Sequence, residues 1–243
     1  MAVRQLPFLI LVRLVTNAVI FDLDGTLIDS VGDIHAALAE LTCARGAAPL
    51  DLETVRSFIG KGSSNLVLRC LKQLGLPHDA TAHKAALDDF ITIYTAESAK
   101  LTTLFDGVTV CLQQLLDAGC QMAICTNKPL APTQVVLKQF ELHRFFDVVV
   151  GGDQLATRKP DPEMLHHAMA MLGVTDCLFV GDSEIDRATA AAGGQKIALF
   201  TKGYRQTSID VLAPEYHFDH FADLPVIVAA HFSQAAQEQP RLG

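Results

Sequence analysis

The sequence predicts an α/β protein whose core is a mostly parallel β-sheet. Short, apolar, β-branched segments end in polar residues, as buried parallel strands do. Helix-like segments alternate with them, which is the pattern of repeated strand–helix–strand units. The strand-like segments are Ala18–Leu23, Met122–Cys125, Phe146–Val150 and Leu178–Val180, with a weaker one at Ile197–Phe200.

The helix-like segments between these strands carry the end signals of α-helices. Ser183 is a good N-cap for the helix that follows it, and Gly119 and Gly173 are C-cap residues. One further segment has a proline in its first turn, where the missing N–H needs no partner. The segments are Val108–Ala118, Pro132–Phe140, Pro162–Leu172 and Glu184–Ala192.

The connection between the first two strands is far too long for a single crossover. It reads as helix throughout, and no part of it alternates with the period of a strand. Its helix-like segments are Asp33–Ala44, Leu52–Phe58, Ser64–Leu74 and His83–Glu97. We therefore expect a Rossmann-like core formed by residues 1–30 and 101–243, with an α-helical domain inserted at residues 31–100.

The charge balance argues against two classes of partner. The chain has 19 Lys and Arg residues against 27 Asp and Glu residues, a formal net charge of −8. Nucleic acids and anionic membranes require a basic surface, so we expect the protein to bind neither. An acidic protein that binds phosphate must instead concentrate a metal ion or a few cationic side chains at one point.

The cysteines and the N-terminus favour a cytoplasmic protein. The six cysteines form no Cys-x-x-Cys pair, and most lie in apolar segments, where reduced cysteine behaves as a small hydrophobic residue. The N-terminal segment Met1–Thr16 is apolar but interrupted by Arg13, and it is shorter than the ~20 residues of a spanning helix. We interpret it as neither a signal peptide nor a membrane anchor. The sequence indicates no particular oligomeric state.

Two carboxylates follow the first predicted strand directly. Asp22 and Asp24 end the apolar segment, and Gly25 then breaks it. Ligands of open α/β sheets bind at the carboxyl ends of the strands. Two ionised carboxylates ~4 Å apart repel each other by about 4 kcal/mol at an intermediate dielectric, so such a pair requires a cation or a shared proton.

A second acidic pair follows the fourth predicted strand. Asp182 ends that strand, and Asp186 lies four positions later on the same face of the start of a helix. Together with the first pair, it would supply hard oxygen ligands from two strand ends. Mg²⁺ takes a few carboxylates, keeps several waters and binds phosphate oxygens, so we expect a magnesium-dependent site.

Donors for a phosphate group follow the other two strands. Thr126 and Asn127 end the second predicted strand with a hydroxyl and an amide. Lys159 lies near Pro160 and Pro162, which restrict the backbone and so direct the lysine. We expect Thr126, Asn127 and Lys159 to bind the phosphate of a small phosphorylated substrate.

The four strand-end motifs read, in order, DLDGTLIDS, CTNK, RKPDP and GDSEID. A chain with these motifs in this order resembles the haloacid dehalogenase superfamily. The helical insertion after the first motif is similar to the first type of cap domain in that superfamily. The resemblance covers nearly the whole chain from Ala18 onward.

The resemblance implies roles for the acidic residues. Asp22 would be the nucleophile that becomes an aspartyl-phosphate, and Asp24 would be the general acid and base. Mg²⁺ would bind a carboxylate oxygen of Asp22, the main-chain carbonyl of Asp24 and the side chain of Asp182. Asp186 would support the metal waters and Lys159 rather than bind the ion directly.

The remaining roles concern the phosphoryl group and the type of reaction. Lys159, Thr126 and Mg²⁺ would stabilise charge on the transferring phosphoryl group. Superfamily members that cleave carbon–halogen bonds do not need a carboxylate at the position of Asp24. Its presence therefore favours phosphoryl transfer, and the chain is expected to be a phosphoric monoester hydrolase.

The insertion is expected to select the substrate, because a cap that closes over the site contacts the leaving group. Its most distinctive part is Ser57–Ser64, in which Lys61 stands between two glycines. This stretch, with Leu104–Val108 and Val149–Asp153, resembles the phosphoglycolate phosphatase branch, although that branch often has asparagine at the position of Lys61. We therefore expect 2-phosphoglycolate as the substrate and Lys61 as a contact to its carboxylate.

Three alternatives remain open at this point. A phosphomutase acting on sugar phosphates, or a hydrolase of pyrophosphate or nucleotides, would use the same strand-end residues. A phosphate-binding regulator without catalysis is a third possibility, but every expected catalytic position is occupied by a suitable side chain.

Overall fold

The computed structural model describes residues 17–238, and its centre is a six-stranded parallel sheet. The interpretation of Met1–Thr16 therefore concerns residues outside the described range. The strands of the sheet, from one edge to the other, run in the order β5-β4-β1-β6-β7-β8. They are β1 (Ala18–Phe21), β4 (Gln121–Cys125), β5 (Val148–Val150), β6 (Leu178–Gly181), β7 (Lys196–Phe200) and β8 (Tyr216–Phe218). A short antiparallel ribbon pairs β2 (Ile28–Asp29) with β3 (Thr103–Leu104).

Helices connect the strands and form the insertion. The helices of the insertion are α1 (Val31–Cys43), α2 (Leu52–Arg56), α3 (Gly62–Gln73) and α4 (Ala80–Glu97). The later helices are α5 (Val108–Asp117), α6 (Leu130–Gln139), α7 (Glu163–Leu172), α8 (Glu184–Ala192), α9 (Ile209–Leu212) and α10 (Leu224–Glu238). Two 3₁₀ turns cover Leu142–Phe145 and Phe221–Asp223. In this part of the chain no helix has both the length and the apolar character that crossing a bilayer requires.

The central strand β1 is buried on both faces of the sheet. Val19 and Phe21 pack in one apolar cluster with residues of α5 and α10. Ala18 and Ile20 point to the other face and pack in a second cluster with residues of α7 and α8. Successive side chains of a strand point to opposite faces, so a sheet covered on both sides needs continuous apolar runs. This is why the strand segments were recognisable in the sequence.

The predicted α/β class is confirmed, while several element boundaries differ. β1 ends at Phe21 rather than Leu23, because the Leu23 carbonyl accepts bonds from the N–H groups of Thr26, Leu27 and Ile28. The chain thus turns sharply just beyond Asp22. The strand predicted from Phe146 begins only at Val148. Strands β2, β3 and β8 were not predicted, since segments of two or three residues carry no periodicity.

The inserted helices have an apolar core of their own. Leu38 and Leu41 of α1 pack with Leu71 of α3 and Phe90 of α4, and all are at most 2 % exposed. The β2–β3 ribbon stands where the chain enters and leaves this helical insertion, with Ile28 paired to Leu104. The four helices correspond to the predicted ones, with α4 starting earlier at Ala80 because Asp79 caps it.

One buried carboxylate links the two chain segments that connect the core with the insertion. Asp33 lies in the first turn of α1 and accepts hydrogen bonds from the backbone N–H of Ala99 at 2.8 Å, Leu101 at 2.7 Å and Thr102 at 3.1 Å. The Thr102 hydroxyl also donates to it. Asp33 is 1 % exposed, so its removal would leave these donors buried and unpaired.

Asp33→Ala should therefore destabilise the protein strongly. Charge-assisted hydrogen bonds contribute ~1.5–3 kcal/mol each, so we expect a loss of more than ~2 kcal/mol in urea unfolding. The matched control is Asp79→Ala, because Asp79 is exposed and accepts two backbone N–H bonds at the start of α4. Loss of that cap should cost about 1 kcal/mol. Equal losses in the two variants would contradict the role given to Asp33.

Candidate active site

Three carboxylates from two neighbouring strand ends meet at the carboxyl edge of the sheet. Asp22 follows β1, and Asp182 and Asp186 follow β6, which is hydrogen-bonded to β1. One carboxylate oxygen from each lies within 4.8 Å of the others. The three residues are 7 %, 1 % and 0 % exposed, respectively. The predicted convergence of Asp22 and Asp182 is thus seen in the structure.

Burial raises the pKa values of two carboxylates in this cluster. Desolvation raises the pKa of Asp22 to about 7, although the charge of Lys159 lowers it and that of Asp186 raises it further. Desolvation, followed by the charges of Asp186 and Asp22, also raises the pKa of Asp182 well above its usual value. Carboxylates whose pKa values are raised by burial and by one another are typical of functional sites.

Lys159 is a buried cationic side chain that contacts this cluster. Its ammonium group lies 2.9 Å from Oδ1 of Asp22 and 2.7 Å from Oδ1 of Asp186, and its side chain is 1 % exposed. Burial alone would lower the pKa of Lys159, but Asp186 and Asp22 raise it above the usual value, so the lysine stays charged. The lysine predicted to face the phosphate therefore lies beside the predicted nucleophile.

Asn127 holds the backbone of Lys159 in place. Its Oδ1 accepts from the N–H of Lys159 and its Nδ2 donates to the carbonyl of Lys159, both at 3.0 Å. The same Nδ2 donates to the carbonyl of Gly60 in the insertion at 2.9 Å. Asn127 lines the cavity as predicted for a substrate contact, but its amide is already bonded to protein groups on both sides.

Asp186 is held by a full set of donors. Its Oδ2 accepts from the N–H of Asp182 at 3.2 Å, the N–H of Ser183 at 3.1 Å and the Ser183 hydroxyl at 2.6 Å. Its Oδ1 accepts from Lys159. With both oxygens occupied, Asp186 is arranged to position Lys159 and the turn after β6, as expected for a supporting residue.

Asp182 is oriented from two sides of the sheet edge. The Thr26 hydroxyl donates to its Oδ1 at 2.9 Å, and the Tyr204 N–H donates to its Oδ2 at 2.6 Å. Gly25 lies against the same carboxylate with a φ of +86°, and a Cβ built there would be 2.5 Å from Oδ2 of Asp182. Both constraints explain why glycine follows the two aspartates of the first motif.

The donor set fits a hard divalent cation. Asp22 Oδ1 is buried and, among residues 17–238, finds no hydrogen bond of good geometry, although Lys159 lies within ion-pair distance of it. If the three carboxylates are ionised, Lys159 neutralises only part of their charge. Buried carboxylate oxygens with residual negative charge are the ligands that Mg²⁺ prefers.

Asp24 lies in a separate network that includes a lysine and a tyrosine. Its Oδ1 accepts from the Ser30 hydroxyl at 2.6 Å and from Lys128 Nζ at 2.9 Å. Lys128 also donates to the hydroxyl of Tyr94 on α4, and its ammonium lies 4.5 Å from the centre of the Tyr94 ring. The core and the helical insertion therefore meet directly at Asp24.

Thr126 stands at the end of β4 and lines the same cavity as Asp22. It is 1 % exposed, and its N–H donates to the Val150 carbonyl at 3.0 Å. Its hydroxyl oxygen accepts from the Lys128 N–H at 3.2 Å, which leaves the hydroxyl hydrogen for another acceptor. This is the arrangement expected of a donor to a phosphate oxygen.

A cavity lies between the strand ends and the insertion, and it is partly open to solvent. The core side is formed by polar residues that include Asp22, Asp24, Thr126 and Lys128. The opposite side is mostly apolar and is formed by Ile34, Ile59, Leu66, Phe90 and Tyr94. Gly60, Gly62 and Ser63 line it as well, whereas Lys61 between them is exposed and lies outside the lining.

The geometry agrees with comparisons to known proteins. A family model described as haloacid dehalogenase-like hydrolase matches residues 19–200, which is most of the chain and includes all four motifs. The chain belongs to this family. This dehalogenase-like hydrolase is 42 % identical to a phosphoglycolate phosphatase of Rhodobacter capsulatus over 87 % of its own length and 96 % of that protein.

Further relatives agree in sequence and fold. The hydrolase is 40 % identical to phosphoglycolate phosphatase 1 of Pseudomonas aeruginosa over 85 % of its own length and 77 % of that protein. It superposes with a TM-score of 0.80 on a crystal structure of a predicted phosphoglycolate phosphatase from Haemophilus somnus. That pair is 28 % identical, and the match covers 87 % of this chain and 97 % of the other.

Sequence reasoning missed three residues that organise this hydrolase's site. Thr26 and Tyr204 orient Asp182, and the Tyr204 hydroxyl also accepts from the N–H groups of Ser30 and Val31 where the insertion begins. Nothing in the spacing of Tyr204 signals these contacts. Lys128 did carry a signal, because it directly follows the strand-end residues Thr126 and Asn127.

Asp22→Asn should raise the stability of the metal-free hydrolase at pH 8 and abolish its stabilisation by Mg²⁺. Because the pKa of Asp22 is raised to about 7 in the fold, the stability present at low pH is lost as the pH rises through that value. The amide of the variant does not ionise, so the variant avoids this loss. At pH 8 its free energy of unfolding should be higher than that of the wild type by at least ~1 kcal/mol, which raises Tm by about 3 °C. Thermal unfolding with and without Mg²⁺ measures both effects.

Two comparisons sharpen this test. At pH 5 the Asp22 carboxyl of the wild type is largely protonated, so the difference between the proteins should shrink. Asp106→Asn alters an exposed carboxylate outside the cluster and should leave both the stability and the Mg²⁺ response unchanged. A Mg²⁺ response of wild-type size in Asp22→Asn would remove Asp22 from the metal site.

Proposed function

We propose that this hydrolase removes phosphate from a small phosphate monoester, 2-phosphoglycolate, and releases glycolate. The observation that carries the proposal is the meeting of Asp22, Asp24, Lys159 and Asp182 at one edge of the sheet. Relatives that match over nearly the whole chain are named phosphoglycolate phosphatases, which supports the choice of substrate. The compact cavity with one apolar side suits a small leaving group.

Asp22 acts as the nucleophile in this proposal. A carboxylate oxygen of Asp22 attacks phosphorus while the bond from phosphorus to the leaving oxygen breaks, which gives an aspartyl-phosphate. Asp24 donates a proton to that leaving oxygen, so that the alcohol departs neutral at this position. Asp24 then takes a proton from the water that attacks phosphorus, and phosphate leaves Asp22.

Cationic and hydroxyl donors stabilise the phosphoryl group during both steps. Lys159 lies beside Asp22 and is held by Asp186 and Asn127, so its ammonium is pre-positioned for the transferred oxygens. Thr126 offers its hydroxyl hydrogen from the neighbouring strand end. The side chains of Asp22 and Asp182 and the main-chain carbonyl of Asp24 would hold Mg²⁺. When bound, this ion supplies Lewis-acid stabilisation of negative charge on the phosphoryl oxygens.

The helical insertion at residues 31–100 acts as a cap in this proposal. Its apolar residues face the cavity, and their packing over the strand ends would exclude water from Asp22 during the first step. The buried free cysteines and the acidic composition are consistent with work in the cytoplasm on a small phosphorylated molecule. We propose neither a nucleic acid nor a membrane as a binding partner.

Asp22→Asn and Asp24→Asn should each reduce kcat for 2-phosphoglycolate by at least ~1,000-fold while the fold is retained. An amide at position 22 cannot form the acyl-phosphate, and an amide at position 24 cannot donate and accept the proton. Phosphate release and circular dichroism measure the two properties. Wild-type turnover by pure Asp22→Asn protein would eliminate the nucleophile assignment.

A substrate panel with and without EDTA tests the class of reaction. The panel contains 2-phosphoglycolate, hexose phosphates, pyrophosphate and nucleotides, and both free phosphate and phosphorylated products are measured. We expect Mg²⁺-dependent release of phosphate, with the highest kcat/KM for 2-phosphoglycolate. Transfer of phosphate to a second position of a sugar would instead indicate a mutase, and no turnover of any compound would indicate a regulator.

Lys61→Ala tests the predicted carboxylate contact of the insertion. Lys61 is exposed between two residues that line the cavity, so a contact would require the side chain to turn inward. If it contacts the carboxylate, KM for 2-phosphoglycolate should rise about tenfold or more. An unchanged KM would assign Lys61 to the solvent-exposed surface.

A further inference from the structure

Lys128 is a buried cation inside the cavity for which the proposed mechanism has no step. Its side chain is 1 % exposed, and it lines the same space as Asp22 and Thr126. Burying an ammonium group is costly unless it is paired. The structure provides this pairing through Asp24 and through the face and hydroxyl of Tyr94. A buried and fully oriented cation beside the reacting groups is well placed to bind a ligand in the cavity.

The hydrogen-bond capacity of Lys128 is not exhausted by these contacts. An ammonium group has three N–H donors. Within residues 17–238, two acceptors are found for them, Oδ1 of Asp24 and the hydroxyl of Tyr94. The third donor is therefore available for a ligand in the cavity.

The position of Lys128 places this donor on the leaving-group side of the site. Asp24 must lie next to the leaving oxygen in order to protonate it, and Lys128 Nζ is 2.9 Å from Oδ1 of Asp24. Atoms attached to the leaving oxygen are therefore within reach of the lysine. Lys159, by contrast, pairs with Asp22 and Asp186 on the phosphoryl side.

The cavity around Lys128 also limits what the leaving group can be. Ile59, Leu66 and Phe90 supply apolar surface on the side of the insertion, which disfavours a large or highly hydroxylated group. A short leaving group with an anionic end would place its carbon atoms against this surface and its charge at Lys128. Glycolate has this chemistry, because one CH₂ separates its carboxylate from the oxygen that carries the phosphate.

We propose that Lys128 is a specificity-determining residue that binds the carboxylate of the leaving group through its third N–H. The proposal rests on the proposed function and assigns to the core the selectivity that sequence reasoning placed at Lys61. Tyr94 and Asp24 act as positioning residues for the ammonium group. The insertion thus contributes to selectivity by holding a core lysine in place.

The experiment compares two substrates that differ in the relevant group. 2-Phosphoglycolate carries a carboxylate, and 2-hydroxyethyl phosphate carries a CH₂OH group at the same place. The variant Lys128→Met removes the charge and keeps an unbranched stem. Any general effect of Lys128 on Asp24 changes kcat/KM for both compounds and cancels in their ratio.

The wild type should prefer 2-phosphoglycolate, and Lys128→Met should reduce the ratio of the two kcat/KM values by ~10–100-fold. Lys128→Arg keeps a cation and should retain part of the preference. The matched control is Lys84→Met, because Lys84 is an exposed lysine on α4 with a side chain that is 76 % exposed. That variant should leave the ratio unchanged. Inhibition by glycolate should weaken in Lys128→Met, which reports binding without turnover.

The outcomes separate the two proposals. If the wild type prefers 2-phosphoglycolate and Lys128→Met keeps the same ratio, the assignment of Lys128 is wrong while the function stands. If the wild type hydrolyses 2-hydroxyethyl phosphate at least as well as 2-phosphoglycolate, the proposed substrate is wrong, and the Lys128 contact to it is wrong as well.

Discussion

The ion pairs of Lys159 with Asp22 and Asp186 are the interaction on which the rest of the site depends. Three buried carboxylates from the ends of β1 and β6 repel each other, and one ammonium group holds two of them together. Without this lysine, the desolvated carboxylates would favour proton uptake or local opening of the strand ends. The ion pair of Lys159 with Asp186 therefore ties the loop that follows β5 to the start of the helix that follows β6.

Much of this arrangement could be predicted because each part is local in sequence. The strands are continuous apolar runs, and the polar residues that end them must meet at one edge of a parallel sheet. Asp22, Thr126, Lys159 and Asp182 were identified in this way. The helices of the insertion were also visible, since no segment there alternates with the period of a strand and α1, α3 and α4 are each longer than ten residues.

The parts that could not be predicted involve contacts between distant segments. The network of Lys128, Asp24 and Tyr94 joins the end of β4, the end of β1 and a helix of the insertion. The contacts of Tyr204 join the loop after β7 to the start of α1. Neither has a signature in spacing or composition, because tertiary packing alone decides which side chains meet across the cavity. Lys61 is the opposite case. Its loop sequence indicates a substrate contact, but the sequence does not determine where the side chain points, and in the structure Lys61 is exposed outside the cavity lining.

The β2–β3 ribbon has a consequence for how such proteins can diversify. Ile28 and Leu104 are partners across this antiparallel ribbon, so the two ends of the intervening polypeptide emerge side by side from the core. A replacement of any length could be grafted between these ends without disturbing the order of the strands. Evolution or protein engineering can thus exchange the insertion between two fixed points, but the new segment must also supply the support that Tyr94 gives to Lys128.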